Sequence, residues 1–271
     1  MPSAPDDRSK ILRWEGSCLL PAWDGIAEEE PLEIRVRGRS VVVTLRTPGH
    51  DVELAAGFLV ADGLLRERGE WVDASPCRQT GAAQDGTILN VHVVPALAGR
   101  MKRLQKRRLA TSSCGLCGTV DLKDLPVTKA LTPTKRRLPR RVLTQLPIKL
   151  RRVQEGFERT GGMHAAGIFT LGGRTVVVRE DVGRHNAVDK VIGHGFLENL
   201  LPFDRHVLFV SGRVSYEIMQ KALAAGLSHV AAISAPSSLA VDFAREHGQT
   251  LLGFVRGEGF NVYAHPEGLR L

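Results

Sequence analysis

The stretch "AAGIFTLGGRTVVVRED", residues 165–181, decides how the second half of the chain folds. Two runs rich in apolar and β-branched residues flank Gly172 and Gly173, and a glycine pair between two such runs signals a β-hairpin. Downstream the pattern changes. A helical run "NAVDKVIGHGFLENL" is followed by a strand "RHVLFVS", a helix "SYEIMQKALAAG", a strand "HVAAIS", a helix "SLAVDFAREHG" and a strand "TLLGFVR", with "GFNVYAH" after it. Strands that alternate with helices pair largely in parallel, because each helix crosses over the sheet between them. The expected architecture is an α/β layer sandwich in which an antiparallel hairpin feeds a partly parallel sheet.

Upstream, "LEIRVRGRSVVVTLRT" reads as two strands around a turn at Gly38, "DVELAAGFLVADG" as a short helix closed by Gly63, and "TILNVHVVPAL" as a further strand. This is a smaller α+β unit. Between the two units the composition shifts. From Gly99 to Arg152, sixteen Lys and Arg face two acids, Asp121 and Asp124, so this segment carries +14 and the remainder −6 of the net +8. Its prolines 126, 133, 139 and 147 cut any long helix. The expected organisation is a small α+β N-terminal domain over 1–98, a basic arm or linker over 99–153, and an α/β domain over 154–271.

A chain of 271 residues with 43% hydrophobic content buries a substantial core. No run approaches the eighteen apolar residues of a membrane span, and "MPSAPDDRSK" places Asp6 and Asp7 where a secretory signal needs a basic start and an apolar stretch. A cytoplasmic protein with no membrane partner is expected. In a reducing compartment cysteines stay free unless they bind metal or handle electrons or sulfur. Cys18 and Cys77 stand alone and read as ordinary structural thiols.

Cys114 and Cys117 are different, set two residues apart in "TSSCGLCG". A single Cys-x-x-Cys supplies half of a zinc site, and the other ligands would come from scattered residues such as Cys18, Cys77, His164 or His185. A thioredoxin-like pair follows a strand and opens a helix, whereas a basic helical run precedes this one. A zinc deaminase places His-x-Glu ahead of Pro-Cys-x-x-Cys, yet His164-Ala165 is followed by Ala166 and no proline precedes the cysteines. A nucleophilic thiol that carries sulfur suits the surroundings best, because nearby Lys and Arg lower a thiol's pKa. No aromatic residue interleaves the basic ones to stack on bases, so a nucleic-acid partner is not expected.

In partly parallel sheets ligands collect at the carboxyl ends of the strands. Two strand-to-helix loops are candidates: "VSGRVS" (210–215), with Ser211, Gly212 and Arg213, and "SAPSS" (234–238), with Ser234, Ala235 and Pro236. Free N–H groups at a helix start favour an anion, and plain capping by Ser215 or Ser237 is the competing reading. In "REDVGRHNAVDK", Asp181 and His185 read as residues that cap and orient a helix, with Arg184 or His185 touching ligand as the alternative. His164 reads as a buried, hydrogen-bonded histidine.

Seven segments in order carry a resemblance: "TPGHDVELAAGFLVADG" (47–63), "SSCGLCG" (112–118), "TGGMHAAGIF" (160–169), "VREDVGRHNAVDKVIG" (178–193), "SGRVSYEIMQKA" (211–222), "ISAPSSLAVDFA" (233–244) and "GFVRGEGFNVYAHPE" (253–267). From about Trp14 onward the chain resembles the formate dehydrogenase accessory sulfurtransferases, the FdhD family. The resemblance implies a cytoplasmic homodimer whose C-terminal domain has a three-layer cytidine-deaminase-like fold. It implies sulfurtransferase activity: sulfur is taken from a cysteine desulfurase as a persulfide and passed to the bis-molybdopterin guanine dinucleotide cofactor, as formate dehydrogenase requires. On this basis Cys114 is the persulfide carrier and Cys117 assists transfer or release. Phe254, Val255, Arg256, Gly257, Glu258 and Gly259 fall at the stretch that binds the cofactor, which a guanine nucleotide such as GDP mimics. The two anion loops suit the same ligand. The competing account is a non-enzymatic chaperone that binds the molybdenum cofactor and holds a structural metal at the Cys-x-x-Cys.

Overall fold

The structure is a computed structural model that describes residues 8–77, 87–101 and 136–270. It begins with a two-stranded antiparallel ribbon, β1 (Arg8–Glu15) and β2 (Cys18–Gly25). Next comes a four-stranded sheet of β3 (Glu30–Val36), β4 (Arg39–Arg46), β5 (Trp71–Pro76) and β6 (Ile88–Val93), ordered β4-β3-β6-β5. Alternation along β3 sends Leu32, Ile34 and Val36 into the core, while Glu33 and Arg35 pair on the other face at 2.7 Å. Between β4 and β5 runs α1 (Asp51–Ala61), whose Leu54, Ala55, Ala56, Leu59 and Val60 are all buried. A helix apolar on most of its sides must lie between layers, and this one does.

The short strand β7 (Leu138–Pro139) leads into helices α2 (Arg140–Leu143), α3 (Leu146–Arg151) and α4 (Glu155–Thr160). The hairpin expected around Gly172 follows as β8 (His164–Thr170) and β9 (Thr175–Asp181). Helix α5 (Arg184–Leu197), strand β10 (His206–Val210), helix α6 (Tyr216–Ala224), strand β11 (His229–Ala232), helix α7 (Ser238–His247) and strands β12 (Thr250–Arg256) and β13 (Gly259–Ala264) then alternate as expected. A final β14 (Leu269–Arg270) pairs with β7. The six-stranded sheet is ordered β13-β12-β11-β10-β8-β9, with β10, β11 and β12 parallel and β8 and β13 antiparallel to their neighbours.

Both faces of this sheet are covered. Ala166, Ile168, Leu208, Val230 and Leu251 share one core with buried residues of α1, α5, α6 and α7. Ala165, Phe169, Val207, Phe209 and Leu252 share the other with Leu138, Val142, Leu143, Leu146 and Leu150. The second set corrects the expectation of an arm over 99–153, since its last part, from Leu138 to Leu150, is a packed layer. The prolines misled because they start these helices rather than break them. Pro139 stands at the N-cap of α2 and Pro147 in the first turn of α3, where a missing N–H leaves no helical bond unmade. Residues 102–135 lie outside the described residues, and Cys114 and Cys117 are among them. Among the described residues no helix is long and apolar enough to cross a membrane.

The two expected domains share a single core, and the junction is a helix crossing. A Cβ added to Gly57 of α1 would stand 1.9 Å from the Asp189 carbonyl oxygen, and one on Gly193 of α5 would stand 1.7 Å from that of Glu53. Only glycine lets two backbones meet this closely. Polar groups fasten both ends of the crossing. Glu53 takes two hydrogen bonds from Arg179, at 2.6 and 2.7 Å, and lies 3.0 Å from His194 Nδ1. Lys190 of α5 reaches Asp181 at 2.8 Å, with both side chains essentially sealed, and donates to the Thr47 carbonyl at 2.9 Å. Asp181 also accepts from the backbone N–H groups of Thr47 and Gly183 and from Asn186 Nδ2. It was expected to cap and orient a helix; it orients the start of α5 without a cap bond and ties that helix to the N-terminal half.

Gly193→Ala should therefore destabilise the fold by at least about 3 kcal/mol, because backbone rather than a movable side chain blocks the new methyl group. Urea unfolding measures this, with Gly69→Ala as the control, since nothing lies within 4 Å of a Cβ there.

Candidate functional site

The parallel strands β10, β11 and β12 end on the same edge of the sheet, and the chain leaving them is stitched together by its own backbone. Val214 N–H donates to the Ala235 carbonyl at 3.1 Å, and Ser237 N–H donates to that of Val214 at 2.9 Å. One step along, Phe254 N–H donates to the Ser234 carbonyl at 3.2 Å. Ser211, Gly212 and Arg213, then Ser234, Ala235 and Pro236, then Phe254 and Arg256 thus form one continuous ledge. Sequence spacing separates these three groups by about twenty residues each; the sheet makes them neighbours.

Their roles differ once the contacts are read. Ser211 locks the ledge to β8: its Oγ accepts from Ala165 N–H at 2.9 Å, and its own N–H donates to the Ala165 carbonyl. Gly212 is buried against His164, whose Nδ1 lies 3.2 Å from where a Cβ would be, while Arg213 is exposed. Ser237 caps α7 by accepting from Ala240 N–H at 3.3 Å, so for this loop the capping reading holds. Ser215 occupies the N-cap of α6 without making a cap bond. Its hydroxyl lies 2.8 Å from His185 Nε2, and Glu217 Oε2 lies 3.1 Å from the same nitrogen. The first-turn N–H groups of α6 therefore lack the side-chain partner that a serine at this position usually provides.

Positive charge concentrates beside this helix start. Burial pushes the His164 pKa down, and the Arg184 and Arg213 guanidiniums push it further, against a weaker opposing effect of Asp181. His185 is pushed down to about 3, first by burial and then by Lys221 and Arg184. Both imidazoles are neutral at pH 7, leaving the Arg184 and Arg213 guanidiniums and the Glu217 carboxylate as the local charges. Arg184 Nε is buried with no hydrogen-bond partner among the described residues. A buried charged donor left unpaired is unfavourable, and an oxyanion would satisfy it.

The far end of the ledge has another character. Phe254 has φ +52°, a left-handed backbone that a bulky side chain adopts only under constraint. The residue is 37% exposed, and the Arg256 guanidinium lies 5.6 Å from the ring centroid. Val255 between them is sealed in the core, so two neighbours present cation and ring while the third holds the strand down. Gly257, Glu258 and Gly259 form the tip of the β12–β13 hairpin, where Glu258 reaches Arg140 at 3.0 Å.

Sequence reasoning did not single out Glu217. Its only local signal is its place in the first turn of α6, and the fold alone carries it to a histidine thirty-two positions upstream. Cys114 and Cys117 lie outside the described residues. Among the described residues no group of three or more His, Cys, Asp and Glu is arranged to hold a metal ion, so His164, His185, Cys18 and Cys77 are not gathered into one.

Residues 27–270 match the model of the FdhD/NarQ family. The chain is 46% identical over 265 residues to the sulfur carrier protein FdhD of Streptomyces avermitilis, covering 95% of this chain and 93% of that one. It is 49% identical over 252 residues to the sulfur carrier protein FdhD of Corynebacterium efficiens, covering 89% of each chain. A crystal structure assigned to a formate dehydrogenase accessory protein from Desulfotalea psychrophila shares the fold, with a TM-score of 0.77 at 22% identity over 97% of this chain and 98% of that one.

The depressed His185 pKa makes a prediction about stability. Above pH 6.5 the ring is neutral whether folded or unfolded; between 6.5 and about 3 the unfolded chain binds a proton that the folded chain refuses. Stability from this group is thus fully present above pH 6.5 and falls with pH, by at most about 1.4 kcal/mol per unit. In urea unfolding between pH 7.5 and 4.5 (roughly the window in which the difference accumulates), the native protein should lose stability more steeply than His185→Gln.

Proposed function

The chain belongs to the FdhD/NarQ family, and from that membership we propose that it is a sulfurtransferase, a sulfur carrier that serves formate dehydrogenase. The Cys114 thiolate attacks the outer sulfur of a persulfide on a cysteine desulfurase. The sulfur–sulfur bond of the donor breaks, the desulfurase cysteine leaves as thiolate, and Cys114 keeps the sulfur as Cys–S–SH. Cys117 assists its transfer or release. The acceptor is the bis-molybdopterin guanine dinucleotide cofactor, bound as a substrate, and the protein works in the cytoplasm as a homodimer. Residues 154–271 are read as a cytidine-deaminase-like fold that has lost deaminase chemistry, since Ala166, sealed within β8, stands where the proton-shuttling Glu would be.

The observation that carries the acceptor assignment is the outward, strained Phe254 beside Arg256 at one end of a ledge whose other end is cationic. A ring and a guanidinium side by side suit a planar base. Arg184, Arg213 and the free N–H groups of α6 suit phosphates. The ledge therefore offers, in order, what a guanine dinucleotide displays.

Incubation with a cysteine desulfurase and cysteine should add one sulfur atom to the peptide bearing Cys114, and Cys114→Ala should abolish the addition. Persulfide on another cysteine, or stoichiometric zinc with Cys114 unreactive to alkylation, would favour the metal-holding chaperone instead. GDP should bind, and Phe254→Ala should weaken it roughly tenfold to a hundredfold, as loss of base stacking does. Isothermal titration reads the change.

A further inference from the structure

The β1–β2 ribbon has an outer face that nothing in the chain covers among the described residues. Its directly opposed pairs Lys10–Trp23, Leu12–Pro21 and Trp14–Leu19 point to one side. Leu12 is 64% exposed, Trp14 65%, Leu19 55% and Trp23 54%. These four side chains present roughly 500 Å² of apolar surface, near the top of what a monomer carries in one patch. Helix α4 meets the ribbon at Gly25, where an added Cβ would stand 2.3 Å from the Arg159 carbonyl oxygen; a two-stranded ribbon whose apolar face is otherwise uncovered among the described residues is marginal in water. The ribbon also precedes residue 27, where the match to the family model begins.

We propose that this face is where a second copy of the chain docks, ribbon against ribbon about a two-fold axis; this assigns a surface to the homodimer and rests on that reading. The occupant follows from the face itself. At the base of the ribbon is a shallow hollow lined by Lys10, Ile11, Leu12, Pro21, Ala22 and Trp23. At the tip, four residues farther along β1 and thus about 13 Å away, Trp14 projects from the same face. A surface with a knob at one end and a hollow at the other is complementary to itself turned by 180°. That turn seats each Trp14 in the partner's hollow. Two such faces bury about 1,000 Å² of apolar surface alone, roughly the minimum that a specific interface has to clear before its polar rim is counted.

Analytical ultracentrifugation of the full chain tests this. The native protein should sediment at twice the 29.6 kDa of one chain. Trp14→Ser and, independently, Leu12→Lys should each weaken the dimer about 30-fold or more, as loss of a central interface anchor does. Val72→Ser, at an apolar residue equally exposed on β5, should leave it intact. Circular dichroism confirms that each variant is folded. A native protein that is monomeric would overturn the homodimer and this surface together. A native dimer that both ribbon variants leave unchanged would overturn the surface and leave the homodimer standing.

Discussion

The contact on which the rest of the structure depends is the backbone-to-backbone meeting of α1 and α5 at Gly57 and Gly193. It merges what look like two domains into one core and fixes the rotation and height of α5. The sealed Lys190–Asp181 pair fastens the same junction to Thr47. Such a pair adds little net stability when intact, because desolvation offsets its attraction, but loss of one partner costs about 3–5 kcal/mol. Its value here is directional: it permits one docking of the halves. A second buried pair, Lys221 with Asp189, links α5 to α6, and burial raises the Asp189 pKa to about 6 against the opposing pull of Lys221.

That junction reaches the ledge through the first turn of α5. Arg184 and His185 lie beside the loop after β10 because the helix that carries them is held by its glycine crossing some two turns away. The consequence is electrostatic. Two imidazoles are kept neutral by burial and by neighbouring cations, while the guanidiniums that help do so remain charged. An anion arriving there meets arginines and helix N–H groups, with the Glu217 carboxylate held against His185 on the same helix turn. At the other end, Phe254 keeps a backbone conformation unfavourable for its size, and that conformation turns its ring outward beside Arg256.

Much of this was legible in the sequence where the signal is local. The hairpin around Gly172, the alternating strands and helices after it and the two strand-to-helix loops all follow from short-range periodicity and appear in the structure. Three features depend on non-local information and were misread or missed. The layer from Leu138 to Leu150 was hidden by prolines that stand at helix starts. The ribbon over 8–25 lacks a clean apolar–polar alternation because neither strand faces a core, and Pro21 argues against a strand unless the strand is an edge. The crossing of Gly57 with Gly193 joins positions 136 residues apart, and no local pattern announces it. Ser215 and Ser237 read alike as caps and separate only when His185 is seen to draw one of them away.

The account's central claim is that the chain leaving β10, β11 and β12 forms one ligand-binding ledge. Hydrogen–deuterium exchange of the full chain with and without GDP measures it most directly. Concerted protection of 211–217, 234–237 and 253–259 is the predicted result, with the ribbon over 8–25 unchanged. Protection confined elsewhere, or to a single one of the three segments, would contradict it.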